Sequence, residues 1–214
     1  MDDAQTRNGK ETTRDHLLAV AKREFAENGY KGTSVRKICE LAGVSSGALY
    51  FSFKSKDDLF RSVIAPLVEP ARAILSEFGP EGYAYALMAS TYSEDKPLNL
   101  AGTDRLLTLC YEHKDLVDLM IANRDTPVVE ELVSYLSSTL KTDLAAYVTS
   151  CGASLDVWDD LLLSWLVGSS LESFERILVT DDTLEKAGIH LGRVAEFLRG
   201  GIAQLLAVSI PDEA

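Results

Sequence analysis

Side chains that could do chemistry are most concentrated between Val35 and Leu59, where the sequence reads VRKICELAGVSSGALYFSFKSKDDL. Four lysines and arginines occur here, together with serines, small residues and three aromatic side chains. Basic and hydroxyl groups are the ones that proteins use to contact phosphate oxygens. The stretch is therefore either an ordinary helical segment with a solvated face or a surface shaped to meet a negatively charged partner.

Charge is distributed unevenly along the chain, which has 214 residues and a formal net charge of −12. Residues 1–60 hold ten Lys and Arg against nine Asp and Glu, whereas residues 61–214 hold eleven against 24. An acidic body repels a polyanion, so contact with nucleic acid is expected only in the N-terminal part. The asymmetry predicts two units with different partners.

Groups for catalysis or metal binding are not placed together by the sequence. The three cysteines and three histidines are widely separated, and no CxxC, HExxH or ExxH occurs. We therefore predict free thiols, no metal, no cofactor and no enzymatic activity. There is no apolar run of about 18 residues and no signal-peptide pattern, so the sequence predicts a cytoplasmic protein without membrane contact.

Apolar residues recur at helical spacing along nearly the whole chain, and the alternation typical of strands is missing. The predicted fold class is therefore all-α. The first helix is expected to begin near Glu11 or Thr12 and to end at Gly29, which suits a left-handed C-terminal cap. A second helix is expected from Val35 to Ala42.

A third, short helix is expected directly after the second. Thr33 or Ser34 would cap the second helix, and Ser45-Ser46 would cap the third, with Gly43 in the turn between them. Two short helices joined in this way form a helix-turn-helix. Later helices are expected from Asp57 to Phe78, with Pro66 and Pro70 bending or breaking the chain, and over about residues 81–93, 100–112, 114–123, 127–150, 155–179 and 183–208.

The last two predicted helices are apolar over much of their circumference, so they must be buried from two sides. We predict that one side packs within its own domain and the other forms a four-helix interface with a second subunit. A monomer with one deeply buried helix is the alternative. The residues predicted at the dimer interface are Trp158, Leu162, Trp165, Leu191, Val194, Leu198 and Ile202.

The segment TSVRKICELAGVSSGALYFSFKSKDDL resembles the DNA-binding region of TetR-type transcriptional regulators. The matching details are Ala42-Gly43-Val44-Ser45, then Gly47-x-Leu49-Tyr50, then Phe53-Lys54-x-Lys56-x-x-Leu59, and the preceding AKREFAENGYKGTSV also matches. The resemblance covers about residues 11–60. It implies an all-helical homodimer, with a helix-turn-helix DNA-binding domain over residues 1–60 and a helical ligand-binding and dimerisation domain over residues 61–214.

The resemblance also implies roles for particular residues. The helix from about Ser45 to Phe51 would lie in the major groove of operator DNA, while Arg36 would contact a guanine or a phosphate. Ser52 departs from the family pattern, which usually has Tyr or His there, so a phosphate contact would be shorter or missing. The implied DNA-binding residues are Thr33, Ser34, Arg36, Ser45, Ser46, Gly47, Ala48, Tyr50, Phe51, Lys54 and Lys56.

For the larger domain, the resemblance implies a pocket for a small-molecule effector. The chain would be a repressor that binds an inverted-repeat operator as a dimer and is released by a small, hydrophobic molecule. The alternative is a DNA-binding architectural or partner-docking factor without a ligand. Candidate pocket residues, for each of which ordinary core packing is the alternative, are Tyr83, Tyr85, Met88, Tyr92, Tyr111, Met120 and Trp165.

Overall fold

A computed structural model of the chain describes residues 2–77, 103–154 and 156–209, with side chains for residues 13–77, 104–154 and 156–208. These described ranges contain nine α-helices and no strand, which confirms the all-α fold class. The helices are α1 (Asp2–Gly32), α2 (Val35–Ala42), α3 (Ser46–Ser52), α4 (Lys56–Glu77), α5 (Thr103–Glu112), α6 (Lys114–Ala122), α7 (Pro127–Ser150), α8 (Asp160–Thr180) and α9 (Leu184–Ser209).

Most predicted helix bounds agree with the structure, and the exceptions have local causes. α1 begins at Asp2 rather than near residue 11, and its backbone leaves the helical region at Gly29, where φ is 68°. α8 begins at Asp160 rather than near residue 155, because the Asp159 carboxylate accepts a hydrogen bond from the backbone N–H of Leu162 at 2.8 Å and caps the helix there. The helix expected over residues 81–93 lies outside the described residues.

Two prolines do not interrupt α4, so the expected break at Pro66 and Pro70 was wrong. Each proline removes one backbone donor from the helix, and the carbonyl four residues earlier loses its partner. Both prolines are exposed to solvent. Water can satisfy carbonyl groups on that side of the helix, which makes the loss of two hydrogen bonds tolerable.

Packing divides the chain into two compact units. Unit 1 comprises residues 1–68 and 115–132, and unit 2 comprises residues 69–114 and 133–214. α4 and α7 therefore each contribute residues to both units. The division of function at residue 60 concerns roles rather than packing, and it stays a prediction.

The core of unit 1 joins the helix-turn-helix to α1 and α4. Phe25 and Phe60 pack edge to face with their ring centroids 5.0 Å apart, and Tyr30 lies against both. Ile38 of α2 and Leu49 of α3 are fully buried. Burial of a large apolar side chain stabilises a fold by about 1.5–3 kcal/mol, so these contacts hold the short helices in place.

The core of unit 2 is formed by α7, α8, α9 and the chain that connects α7 to α8. Trp158, in that connection, is 1% exposed and is the largest side chain of this core. The other fully or largely buried members are Leu140, Leu144, Val148, Ala153, Leu163, Leu166, Val167, Leu198, Ile202 and Leu206.

Candidate nucleic-acid interface

The turn between α2 and α3 is fixed by local hydrogen bonds. The Ser34 hydroxyl accepts from the backbone N–H of Lys37 at 3.1 Å, and the Ser45 hydroxyl accepts from the backbone N–H of Ala48 at 3.2 Å. Gly43 lies in the left-handed region, with φ 66° and ψ 28°, and closes the C-terminus of α2. The caps set where α3 begins, and so they decide which of its side chains point outward.

α3 buries one side chain of its own, Leu49, and exposes nearly all the rest. Tyr50 is 54% exposed and Phe51 is 76% exposed. We call the outward-facing set the recognition face; it consists of Ser45, Ser46, Gly47, Ala48, Tyr50 and Phe51, of which Ala48 alone is half-buried. A seven-residue helix gains little stability from such exposure, so the face indicates an external partner.

The fold of the described residues does not require glycine at position 47. A Cβ atom there would meet only the Ser45 hydroxyl, at an ordinary contact distance of 3.7 Å, and φ at Gly47 is not positive. Glycine within a helix is less favourable than alanine by about 0.5–1 kcal/mol. A small residue that the fold does not require fits a backbone that closely approaches another molecule.

Basic side chains flank the recognition face. The Arg36 side chain is 87% exposed and pairs with Glu40 one turn further along α2, with Nε and Oε1 3.1 Å apart. Such exposed pairs contribute about 0.3–0.5 kcal/mol, so Arg36 can exchange Glu40 for another anion at little cost. Lys54 is exposed at the start of the loop before α4. Lys37, which the sequence prediction missed, is also exposed and makes no ion pair within the part of the chain that is described.

Lys56 is held by an aromatic side chain. Its ammonium lies 4.1 Å from the centre of the Tyr30 ring, and the Tyr30 hydroxyl donates to Asp57. Partial burial lowers the pKa of Lys56, and the neighbouring Asp57 carboxylate opposes that shift only in part. Burial and the bond to Asp57 raise the pKa of Tyr30 to about 12. The contact fixes one cation near the start of α4, where the resemblance implies a phosphate contact.

Thr33 and Ser34 have different roles, although either was expected to cap α2. Ser34 is exposed and is the cap. Thr33 is 3% exposed, and its hydroxyl lies 2.9 Å from the carbonyl oxygen of Glu24 and 2.8 Å from that of Gly29. Its proton is used inside unit 1, so Thr33 supports the turn and we leave it out of the contact set. Ser52, the residue that departs from the family pattern, is half-buried at the end of α3.

The family model described as bacterial regulatory proteins of the tetR family matches residues 17–63, which hold α2, α3 and the helices that support them. The similarity to the tetR family in this comparison thus covers 47 of the chain's 214 residues. Its match with the HTH-type transcriptional regulator AcrR of Shigella flexneri is 42% identical over 59 residues, 28% of this chain and 27% of that relative. The match with the HTH-type transcriptional repressor KstR2 of Mycolicibacterium smegmatis is 43% identical over 56 residues, 26% of this chain and 27% of the relative.

These matches span little more than a quarter of the relatives' own length. A solved structure extends the likeness of fold over most of the chain. The transcriptional regulator FadR from Bacillus subtilis, in complex with stearoyl-CoA, is 17% identical, covers 87% of this chain and 97% of its own, and gives a TM-score of 0.59. At this identity the likeness concerns the helical fold alone.

The predicted pocket residues of this chain are only partly described. Tyr83, Tyr85, Met88 and Tyr92 lie outside the described residues. Met120 is half-buried in unit 1, whereas Trp165 in unit 2 is 58% exposed. Tyr111 donates from its hydroxyl to the backbone oxygen of Asp181 at 3.0 Å, a contact that ties α5 to the end of α8.

One open depression lies in unit 2, with a volume of about 320 Å³. It is lined by Ile74, Asp104, Arg105, Thr108, Leu109 and Glu112, none of which was predicted to bind a ligand. Arg105 is paired there with Glu77, with Nη1 and Oε2 2.5 Å apart. The depression is shallow and charged, so it does not fit the hydrophobic effector that the resemblance implies.

The predicted dimer residues mostly lie in the core of their own chain. Trp158, Leu191, Leu198 and Ile202 are buried, Leu162 and Val194 are partly buried against the core of unit 2, and Trp165 is exposed. Except for Trp165, these residues pack against the core of unit 2, whereas other apolar side chains of the same helices are exposed. The position of the dimer interface stays a prediction.

A set of exposed apolar side chains on α8 and α9 shares only Trp165 with the predicted interface residues, and we call it the outer apolar set. It consists of Leu161, Trp165, Phe197 and Val208, which are 78%, 58%, 77% and 68% exposed. Gly168 and Gly201 are also exposed, each with nothing within 4 Å of an added Cβ. The spacing from Leu161 to Trp165 to Gly168, one helical turn each, was the signal that could have identified the α8 part.

Neither a metal-binding cluster nor a membrane-spanning helix occurs in the described ranges. There, no three His, Cys, Asp or Glu side chains come close enough together to hold a metal ion. Nor does any helix in those ranges combine the length and apolar character that crossing a membrane requires.

Proposed function

We propose that this chain is a transcriptional repressor that binds double-stranded operator DNA as a dimer and releases it when a small, hydrophobic molecule binds. The observation that carries the proposal is α3, a short capped helix that buries Leu49 and exposes a small-residue and aromatic face between basic side chains. The major groove of B-DNA is about 12 Å wide and admits one such helix.

The recognition face supplies both kinds of contact that specific binding needs. Ser46 can hydrogen-bond to a base edge, and Ala48 or Phe51 can contact a thymine methyl group. Tyr50, Lys54 and the remaining hydroxyl and basic groups are suited to phosphates, which fix the position of the helix on the duplex. The proposed contact set is Ser34, Arg36, Ser45, Ser46, Gly47, Ala48, Tyr50, Phe51, Lys54 and Lys56.

Dimerisation follows from the small number of cations. Each phosphate contact adds nearly one unit to the slope of log affinity against log salt. The few cations of one subunit therefore give modest affinity, and two subunits double the number of contacts. The outer apolar set supplies a surface that a second copy can cover. A two-fold dimer reads an inverted repeat, with half-sites one or more helical turns apart.

The effector is proposed for the domain over residues 61–214. The FadR structure named above contains stearoyl-CoA, and this supports an effector with a long apolar part by analogy of fold. Tyr83, Tyr85, Met88 and Tyr92 remain the proposed lining. A DNA-binding factor without an effector is the outcome to be distinguished by experiment.

The deciding experiment selects operator DNA from random duplexes and then compares two exposed tyrosines. Tyr50→Ala should weaken operator binding by roughly 1–3 kcal/mol per subunit, about 5-fold to 160-fold, because it removes a contact on the recognition face. The matched control is Tyr135→Ala, since Tyr135 is 53% exposed but belongs to unit 2. Equal affinity for Tyr50→Ala and wild type would show that α3 does not contact DNA.

A second arm tests release by an effector. Apolar compounds, including long-chain acyl-CoA, are added to the protein–operator complex, and a compound that lowers operator affinity supports the repressor. If no compound changes that affinity while a protein partner does, the partner-docking factor is the better description.

A further inference from the structure

The end of α1 is held by a turn that comes from a distant part of the sequence. The backbone N–H of Tyr30, released from the helix by the break at Gly29, donates to the side-chain oxygen of Asn123 at 2.5 Å. Asn123 is 3% exposed, and its amide donates to the backbone oxygen of Leu119 at 2.8 Å. The hydroxyl of Thr126 donates to the backbone oxygen of Asn123 at 2.7 Å. The turn over residues 123–126 therefore has a fixed position against α1.

This arrangement places the Asp125 carboxylate directly beside Lys31, a basic residue at the end of α1. Lys31 follows Tyr30, Asp125 lies two residues after Asn123, and the two side chains form an ion pair. The side chains are 73% and 61% exposed, so solvent and other ions reach both. The Asp125 carboxylate, through its hydrogen bond and its charge, raises the pKa of Lys31, and the Glu130 carboxylate adds a smaller increase.

Lys31 lies close to the proposed DNA surface. It precedes Ser34, the exposed cap of α2, by three residues, so their Cα atoms are at most about 11 Å apart. This upper limit is close to the Debye length of about 10 Å at 0.1 M salt, the distance beyond which charges are largely screened. A phosphate at Ser34 would therefore attract Lys31 and repel Asp125.

Two other pairs of the same kind hold residues 115–132 to the rest of unit 1. Lys22 pairs with Asp115, and Arg61 pairs with Glu131. In all three pairs the base comes from residues 1–68 and the acid from residues 115–132. Residues 115–132 thus present acidic side chains to residues 1–68, the part of unit 1 that contains the proposed DNA surface.

We propose that Lys31 is a further phosphate-binding residue and that its pair with Asp125 withholds it from DNA. Asp125 thereby limits the affinity of each subunit for DNA. This inference rests on the proposed function, since it concerns the same protein–DNA contact. An exposed ion pair stabilises a protein by only about 0–1 kcal/mol, so Asp125 can be replaced without unfolding the chain. In the wild type, the Asp125 carboxylate, which the 123–126 turn holds beside Lys31, competes with a phosphate for that ammonium. A change in the position of the 123–126 turn would then alter the number of cations that each subunit offers to DNA.

The test is Asp125→Asn, measured as operator affinity against salt concentration with the full chain. The substitution frees Lys31 and removes a repelling carboxylate, so binding should become tighter at low salt. One added phosphate contact per subunit steepens the slope of log affinity against log salt by about 0.9, or about 1.8 per dimer. The advantage over wild type should therefore shrink about tenfold between about 50 mM and 200 mM salt.

Two controls separate a local contact from a general change in charge. Asp115→Asn makes the same change of charge but frees Lys22, which lies about 13 Å further back along α1, and it should leave the salt slope near that of wild type. Adding Lys31→Gln to Asp125→Asn should restore the wild-type slope. Lys31→Gln alone should change the slope less than Asp125→Asn does, because Lys31 is already withheld from DNA in the wild type. Thermal unfolding followed by circular dichroism shows that each variant remains folded.

Three results would overturn the inference. They are an unchanged slope for the folded Asp125→Asn variant, weaker binding by that variant, and an equal increase in slope for Asp115→Asn. A wild-type protein that binds no duplex at low salt would overturn the proposed function, and this inference with it. Normal wild-type binding together with any of the first three results leaves the proposed function in place.

Discussion

Both packing units expose aromatic side chains, but the two sets have different neighbours. In unit 1, Tyr50 and Phe51 lie between exposed basic side chains of α2 and of the loop before α4. In unit 2, Trp165 and Phe197 lie on helices that carry charges of both signs. Aromatic groups among cations suit a partner that bears phosphates, whereas the same groups among mixed charges suit a second apolar surface.

Glycine separates the two units in a similar way. Gly47 occurs in a seven-residue helix in which the fold does not need it, beside hydroxyl groups. Gly168 and Gly201 occur in helices of 21 and 26 residues, beside exposed Leu161, Trp165 and Phe197. Small residues permit close approach in each case; the proposed partner is a duplex in the first and another helix in the second. Exposure alone does not identify the partner; the flanking chemistry does.

The largest expected effect comes from the two tryptophans of unit 2. Trp158 is 1% exposed, so Trp158→Ala should lower the free energy of unfolding by about 3–5 kcal/mol, through lost burial and a cavity that only partly collapses. Trp165, at 58% exposed, should cost far less when replaced by Ala. Urea denaturation of both variants measures the difference. Equal losses would mean that Trp165 belongs to a core and that the outer apolar set is misassigned.

Local signals account for the part of the fold that the sequence predicted well. α2 has the predicted bounds, Val35 to Ala42, because Ser34 and Gly43 determine its ends within a few residues. The exposed residues of α3 follow from the same local caps. The choice between Thr33 and Ser34 was left open, since either hydroxyl can cap a helix and only packing decides which one is buried.

Long-range packing accounts for what the sequence did not reveal. α8 and α9 are apolar on two sides, and periodicity does not say which side faces the core. The sequence therefore predicts Leu198 at the interface, whereas the structure buries Leu198 and exposes Phe197. The contribution of residues 115–132 to unit 1 depends on Asn123 and on acids that meet bases more than 60 residues away. No local pattern identifies such partners.

A second, smaller effect tests the dimer. Phe197→Glu places a charge in the outer apolar set and should weaken the dimer at least tenfold, because a buried carboxylate without a partner costs more than about 1.4 kcal/mol. Sedimentation over a range of protein concentrations measures the dissociation constant.

Ala203→Glu provides the control for this prediction. Ala203 is also exposed on α9 but lies about 120° around the helix from Phe197, so a glutamate there should leave the dimer intact. A Phe197→Glu protein that remains dimeric at low concentration would place the interface elsewhere.

The smallest expected effect is that of Gly47→Ala, which should raise the stability of the chain and lower its operator affinity. Gly47→Ala should stabilise the chain by about 0.5–1 kcal/mol, because the fold has room for the methyl group and alanine is the better helix former. The same methyl group should reduce operator affinity by holding the backbone away from the duplex. Gly188→Ala in α9 is the matched control, since nothing lies within 4 Å of its added Cβ. It should stabilise without any change in DNA binding. If Gly47→Ala gained stability and kept full operator affinity, the backbone of α3 would not approach DNA closely, and the contrast between the glycines of the two units would be lost.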